Sequence, residues 1–225
     1  MGTAVVFAGG PTSEVDGRGR PPTIEPPSAE LVIAADSGLD LAVALGRRVD
    51  LVVGDMDSVA PASLEEVERS GAEVRRYPTD KDATDLELAL DAAVAAGSDR
   101  IVVIGSSSGR MDHLLGGALV LASPRYASVE VEGWLGGALV VPVHERRAVP
   151  TTLGATVSLL PVFGIAEDVS TEGLRWALRA ARLEPGSSRG VSNEAIAEVV
   201  EVSVGDGTLL VVLPADEPAD EEVAR

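Results

Sequence analysis

The first half of the chain carries its apolar residues in short unbroken runs: "TAVVFAGG", "ELVIAADSG", "DLVVGDMDS" and "RIVVIGSSSG". None alternates with polar residues, and each is stopped by Gly or by an Asp/Ser/Gly cluster, the pattern of β-strands buried on both faces. Between them lie helical patterns. "LDLAVALG" and "SLEEVERSG" end in Gly46 and Gly71, and "TDLELALDAAVAAG" and "MDHLLGGALVLA" have the periodicity and length of full helices. Buried strands alternating with helices predict a three-layer α/β/α domain with a mainly parallel sheet over residues 1–130.

Beyond about residue 125 the pattern changes. "SVEVEGW", "ALVVPVH", "ATVSLLPVFG", "EVVEVSVGDG" and "TLLVVLP" are short strands punctuated by Gly and Pro, with little helix between them. These predict a separate all-β domain over 131–214, a sandwich or partial barrel. The acidic end, 215–225, has no apolar period and reads as a disordered tail. The Pro-, Gly- and Arg-rich segment 11–27 reads as a mobile loop.

Composition narrows the function. The 225 residues include 36 acidic and 18 basic ones, a formal charge of -18. Such a surface argues against binding nucleic acid or an anionic membrane, yet it admits an anionic substrate carried by a divalent cation. There is no cysteine, hence no disulfide framework and no thiolate chemistry. No apolar run reaches the roughly 20 residues of a membrane-spanning helix, and the start lacks the basic region of a signal peptide, so a soluble cytoplasmic protein is expected.

Ligands of open parallel sheets gather beyond the carboxyl ends of the strands. Asp36, Asp55, Asp57 and the loop Ser106–Gly109 all fall there. In extended chain Asp55 and Asp57 would share a face. Two carboxylates about 4 Å apart repel by roughly 4 kcal/mol at an effective dielectric near 20, so a cation is expected beside them. Mg²⁺ suits such a triplet, although an Asx turn explains it equally simply. In "YPTDKDATDLELAL", Thr84 and Glu87 fit a capping box. Capping leaves Asp80, Lys81 and Asp82 unexplained, and Lys81 is the only lysine in the chain. A lysine among aspartates at a helix start can meet a phosphate as a point charge. In "IVVIGSSSGRMDHLL", Ser107, Ser108 and Gly109 offer backbone N–H groups to phosphate, and Arg110 adds a cation.

Taken in order, "AADSGLDLAVALG", "DLVVGDMDS", "PTDKDATDLELAL", "GRMDHLLG", "STEGLRWAL" and "SRGVSNE" resemble thiamine pyrophosphokinases over roughly residues 31–212. The resemblance implies an N-terminal α/β domain, a C-terminal β-sandwich and a homodimer with active sites shared between subunits. It implies transfer of diphosphate from ATP to thiamine with Mg²⁺, releasing AMP. By position it implies Asp55, Asp57, Asp82 and Asp85 as metal ligands, and Asp36 or Asp112 near the reacting alcohol. It places Arg110 near the nucleotide, where Lys81, Thr84, Ser107, Ser108 and Gly109 are then expected to meet ATP, and Trp176, Ser192 and Asn193 at thiamine. Ser37 stands where the family's motif has Gly, and "SSSGR" replaces a more glycine-rich turn. Two rivals are a haloacid-dehalogenase-type phosphohydrolase with Asp55 as nucleophile and a thiamine- or nucleotide-binding regulator. The first wants a further acidic pair at a later strand end, and the α/β half offers none.

Overall fold

The computed structural model describes residues 2–9, 26–105 and 110–214. The expectations for the loop 11–25, for Ser107, Ser108 and Gly109, and for the tail 215–225 therefore lie outside the described residues. The chain divides into two compact units between Gly136 and Gly137.

In the first unit six strands form a parallel sheet. They are β1 (Gly2–Ala8), β2 (Leu31–Ala35), β3 (Leu51–Gly54), β4 (Glu73–Arg76), β5 (Ser98–Ile104) and β6 (Glu130–Leu135). Their order is β4-β3-β2-β1-β5-β6. The unbroken apolar runs are explained by burial on both faces. Val5 and Phe7 pack with Val32, Ala34, Val52, Val102 and Ile104 into one core that includes Leu39 and Ala42 of α1 (Gly38–Ala44) and Val67 of α2 (Pro61–Arg69). The intervening Ala4, Val6, Ile33, Val53, Ile101 and Val103 are equally buried. Helix α3 (Asp85–Ala95) packs on β1, β2, β3 and β5, and α4 (Met111–Leu121) on β6.

Two of these strands depart from the sequence reading. β4 carries Glu73, Arg75 and Arg76 on an edge whose side chains are largely solvated, so it has no apolar run to announce it. β6 pairs in parallel with β5 and completes the first unit, whereas its alternating sequence suggested the start of the all-β half. The alternation is real: Val131, Gly133 and Leu135 are buried and their neighbours are not.

Helix α3 is held at both ends. Thr84 Oγ1 accepts the Glu87 N–H at 3.3 Å, the first half of the expected capping box. The Glu87 carboxylate turns instead to Arg125, 3.3 Å away. Buried Tyr126 donates its hydroxyl to Asp91 Oδ1 at 2.9 Å, and Arg125 Nη2 donates to Asp91 Oδ2 at 2.6 Å. Both come from a 3-10 turn, Pro124–Tyr126, which pins the outer side of α3 and so fixes where its N-terminus points.

The second unit is antiparallel, with β7 (Ala138–Val143), β8 (Arg146–Pro150), β9 (Thr156–Glu172), β10 (Ala181–Leu183), β11 (Asn193–Glu194), β12 (Val199–Ser203) and β13 (Asp206–Pro214). The order is β7-β13-β9-β12-β8, with β10 and β11 also on β9. Strand β9 is 17 residues long, pairing with β13 along its first part and with β12 along its last. Val141, Val149, Leu159, Val169, Leu183, Val200 and Leu209 make its core. The fold as a whole is a mixed parallel and antiparallel β structure with few helices. Among the described residues, no helix is long and apolar enough to cross a membrane.

Candidate active site

Strands β2 and β3 are neighbours, and each ends in an acidic residue. Asp36 follows β2 with φ 45, a left-handed conformation that Asp tolerates better than most residues. Its N–H donates to Val53 O at 2.8 Å, tying the exit of β2 to β3. Strand β3 stops at Gly54, so Asp55 and Asp57 are not on an extended strand as the sequence suggested. Met56 between them has φ 67, and the Asp57 N–H donates to Asp55 Oδ1 at 3.2 Å. This Asx turn, rather than strand alternation, brings the two carboxylates together. One ligand oxygen from each of Asp36, Asp55 and Asp57 lies within 4.8 Å of the others.

Two glycines make this packing possible. Gly38 opens α1 directly against β1, where a Cβ would sit 2.0 Å from Phe7 O. Gly54 has φ 145, and a Cβ there would lie 3.1 Å from Asp36 Cβ and 3.2 Å from Asp85 Oδ1. Neither was singled out from the sequence. The signal available was their position, Gly54 immediately before Asp55 and Gly38 two residues after Asp36.

A cation stands at the cluster's edge. Lys81 Nζ is 3.0 Å from Asp85 Oδ1 and 3.7 Å from Asp55 Oδ2, with its side chain only 15% exposed. Burial works against the lysine's charge, but the hydrogen-bonding and charge of Asp85, with Asp55 and Asp36 behind it, raise its pKa overall. Asp55 is held below the usual carboxylate range, first by the Asp57 N–H and further by Lys81. Asp36 goes the other way: burial raises its pKa, the Ser37 N–H opposes this, and repulsion from Asp85, Asp55 and Asp57 adds to it. Asp36 Oδ1 is buried without a hydrogen-bond donor. Asp85 Oδ1 is likewise buried, with the Lys81 ammonium at 3.0 Å as its close partner. A buried oxygen such as Asp36 Oδ1, lacking a donor in a pocket of like charge, is what a hard divalent cation satisfies.

The remaining expected site residues divide. Asp82 is exposed and lies outside the group of three converging carboxylates. Arg110 and Asp112 pair with each other at 2.6 and 3.1 Å in the open. The Arg110 guanidinium holds the Asp112 carboxyl at about 2. In the second unit, Trp176 is 59% exposed, with Arg175 5.5 Å from its ring centre. Asn193 is buried beneath it. Its Oδ1 accepts the Trp176 N–H at 3.1 Å and its Nδ2 donates to Trp176 O at 2.9 Å, so the amide fixes the backbone that presents the indole. Ser192 adopts φ 58, and its N–H donates to Ser158 Oγ at 3.1 Å.

Two family models match in succession: the catalytic domain of thiamin pyrophosphokinase over residues 26–132 and its vitamin B1 binding domain over 143–209. The break between them coincides with the division between the two units. Over 165 residues the chain is 26% identical to thiamine pyrophosphokinase of Bacillus subtilis, covering 72% of this chain and 77% of the relative. It is 27% identical over 172 residues to thiamine pyrophosphokinase 1 of rice, covering 72% and 64%. The crystal structure of the Bacillus subtilis enzyme superposes with a TM-score of 0.78 at 23% identity over 96% of this chain and all of that one. That of thiamin pyrophosphokinase from Candida albicans gives 0.72 at 15% identity over 95% and 90%. These likenesses establish the shared fold.

Proposed function

The chain belongs to the thiamine pyrophosphokinase family, and from that premise we propose that it transfers diphosphate from ATP to the hydroxyl of thiamine, giving thiamine diphosphate and AMP. The observation that carries the chemistry is the meeting of Asp36, Asp55 and Asp57 at the ends of two adjacent parallel strands. On this reading the first unit is an α/β/α domain for Mg²⁺ and ATP. The second is a β-sandwich for thiamine, with β9 common to its two sheets. The protein is read as cytoplasmic, from the sequence pattern, and as a homodimer, as the family resemblance implies.

Diphosphate transfer asks the protein for positioning and charge neutralisation more than for covalent help. Asp36, Asp55 and Asp57 would hold the metal, with Asp85 behind them through Lys81. Mg²⁺, when bound, would supply charge neutralisation of the triphosphate and Lewis-acid polarisation of its phosphoryl groups. Lys81 and Arg110 offer further positive charge to phosphate oxygens, and Thr84, whose hydroxyl caps α3, lies at the helix start beside Lys81. Of the two candidate bases, Asp112 is made a poor proton acceptor near neutrality by the Arg110 guanidinium. Trp176 presents an aromatic face, a contact with the cationic thiazolium worth about 1–2 kcal/mol once desolvated.

The deciding assay is mass-spectrometric. Purified protein with Mg-ATP and thiamine should yield thiamine diphosphate and AMP in equal amounts. Free phosphate as the product would instead support the phosphohydrolase, and binding of both substrates without turnover would support the regulator.

A second expectation concerns pH. The carboxyl of Asp36 is raised in the fold, so the native state binds its proton more tightly than the unfolded chain does. Stability from this group is therefore present at low pH and falls as pH climbs from the ordinary carboxylate range through the raised value. A divalent cation neutralises the same crowding and competes with the proton. Millimolar Mg²⁺ should accordingly raise the melting temperature more at about pH 7 than at about pH 5. An equal or larger rise at the lower pH would contradict the assignment of Asp36 to the metal.

A further inference from the structure

The chain contains a single lysine, and it sits within a metal-ligand cluster rather than on the surface. We infer that Lys81 is a built-in counter-ion that the acidic site must release before it can hold a divalent cation firmly, coupling metal binding to nucleotide binding through one ammonium group. The inference rests on the metal reading above and goes beyond it by giving Lys81 a role when the nucleotide is absent.

Three observations carry it. First, Asp55 belongs to both arrangements: it is one of the three carboxylates whose oxygens converge within 4.8 Å, and it faces Lys81 Nζ at 3.7 Å. One carboxylate is thus placed between two positive charges, which repel each other. Second, the two arms of the lysine's grip are unequal. Asp85 holds it at 3.0 Å, while the longer contact with Asp55 is the one a competing cation would break. Third, among the described residues no arginine pairs with Asp36, Asp55, Asp57 or Asp85, although arginine supplies every other strong base in the chain. Lysine is a compact point charge on a flexible four-carbon stem, able to swing between partners, where a planar guanidinium fork favours one fixed geometry.

With no nucleotide bound, Lys81 already offsets part of the negative charge at Asp55 and Asp85, so it opposes the metal. When a polyphosphate is present, its oxygens can receive the ammonium and the opposition is lifted. Lys81 acts in this as a positioning residue whose effect is a coupling between two ligands.

The test is a calorimetric titration of Mn²⁺ into the full chain, with and without α,β-methylene-ATP. It compares wild type with Lys81→Met and Lys81→Gln, each first checked for a cooperative melting transition. Without nucleotide, both variants should bind Mn²⁺ about tenfold more tightly than wild type, within the usual range of coupling between two ligands. The gain in Mn²⁺ affinity that the analogue confers should shrink in both by about the same factor, leaving the part that phosphate oxygens contribute by ligating the metal directly. Unaltered or weaker Mn²⁺ binding in the two variants would overturn the counter-ion role and leave Lys81 a structural brace. Asp57→Asn separates the two levels. Mn²⁺ binding that survives this substitution overturns the metal reading itself, and the counter-ion with it. Binding that is lost with Asp57→Asn yet indifferent to Lys81 overturns the counter-ion alone.

Discussion

Replacing Asp57 with asparagine is expected to lower Mg²⁺-dependent formation of thiamine diphosphate about 10³-fold, while the melting temperature stays within about 2 °C of wild type. The two halves of this expectation come from the same geometry. Asp57 is exposed, and its carboxylate accepts the hydroxyl of the neighbouring Ser58 at 2.8 Å. Its contribution to the turn is made by its backbone N–H, which asparagine keeps. Folding therefore loses little. The chemistry loses a negative oxygen from a set of three, and a hard cation discriminates strongly between carboxylate and amide. Because the defect lies in holding the metal, raising Mg²⁺ should recover part of the rate. A defect in proton abstraction would not respond to metal in this way. Steady-state rates over a range of Mg²⁺, together with a thermal melt, check both halves. A variant with wild-type rate would remove Asp57 from the metal set.

How far this site was legible beforehand depended on which physical effect left a trace in the sequence. Burial on both faces writes itself as unbroken apolar runs, so β1, β2, β3 and β5 could be read directly, together with the place where their ends gather ligands. Edge and boundary strands leave weaker traces. β4 is polar because water takes one side of it, and β6 alternates because only one of its sides is buried. The residue types of the site were legible as well, but not their grouping. Asp36 and Asp57 reach the same point because Asp36 and Met56 adopt left-handed backbone conformations, which no periodicity rule anticipates. Proximity in sequence suggested that Asp82 and Asp85 act together. In three dimensions Asp82 lies exposed in the bend ahead of α3, whereas Asp85 opens the helix and is held by Lys81. For Asn193, the sequence offered a ligand for thiamine. The amide is engaged with the backbone of Trp176, a task that shows only when the two segments, 17 residues apart, are seen together.

The glycine before the acidic pair is where fold and chemistry depend on the same atom, or rather on its absence. Gly54→Ala is expected to destabilise the protein by about 2–3 kcal/mol, a fall of roughly 5–10 °C in melting temperature for a chain of this size. It is also expected to impair turnover beyond what that loss of stability explains. A φ of 145 is a region that residues with a Cβ enter only under strain. The added methyl would meet Asp36 Cβ at 3.1 Å, Asp36 Cα at 3.3 Å and Asp85 Oδ1 at 3.2 Å, closer than ordinary packing allows. These neighbours are one of the converging carboxylates and the partner of Lys81. They can relieve the contact by moving a few tenths of an ångström, and any such movement separates oxygens that must reach a common ion. The effect should therefore show at a temperature where the variant is fully folded, as a higher Mg²⁺ requirement and a lower maximal rate. A variant that melts several degrees early yet works normally when folded would show that the glycine serves the backbone alone. One that melts like wild type would mean that β3 ends in a different conformation from the one described.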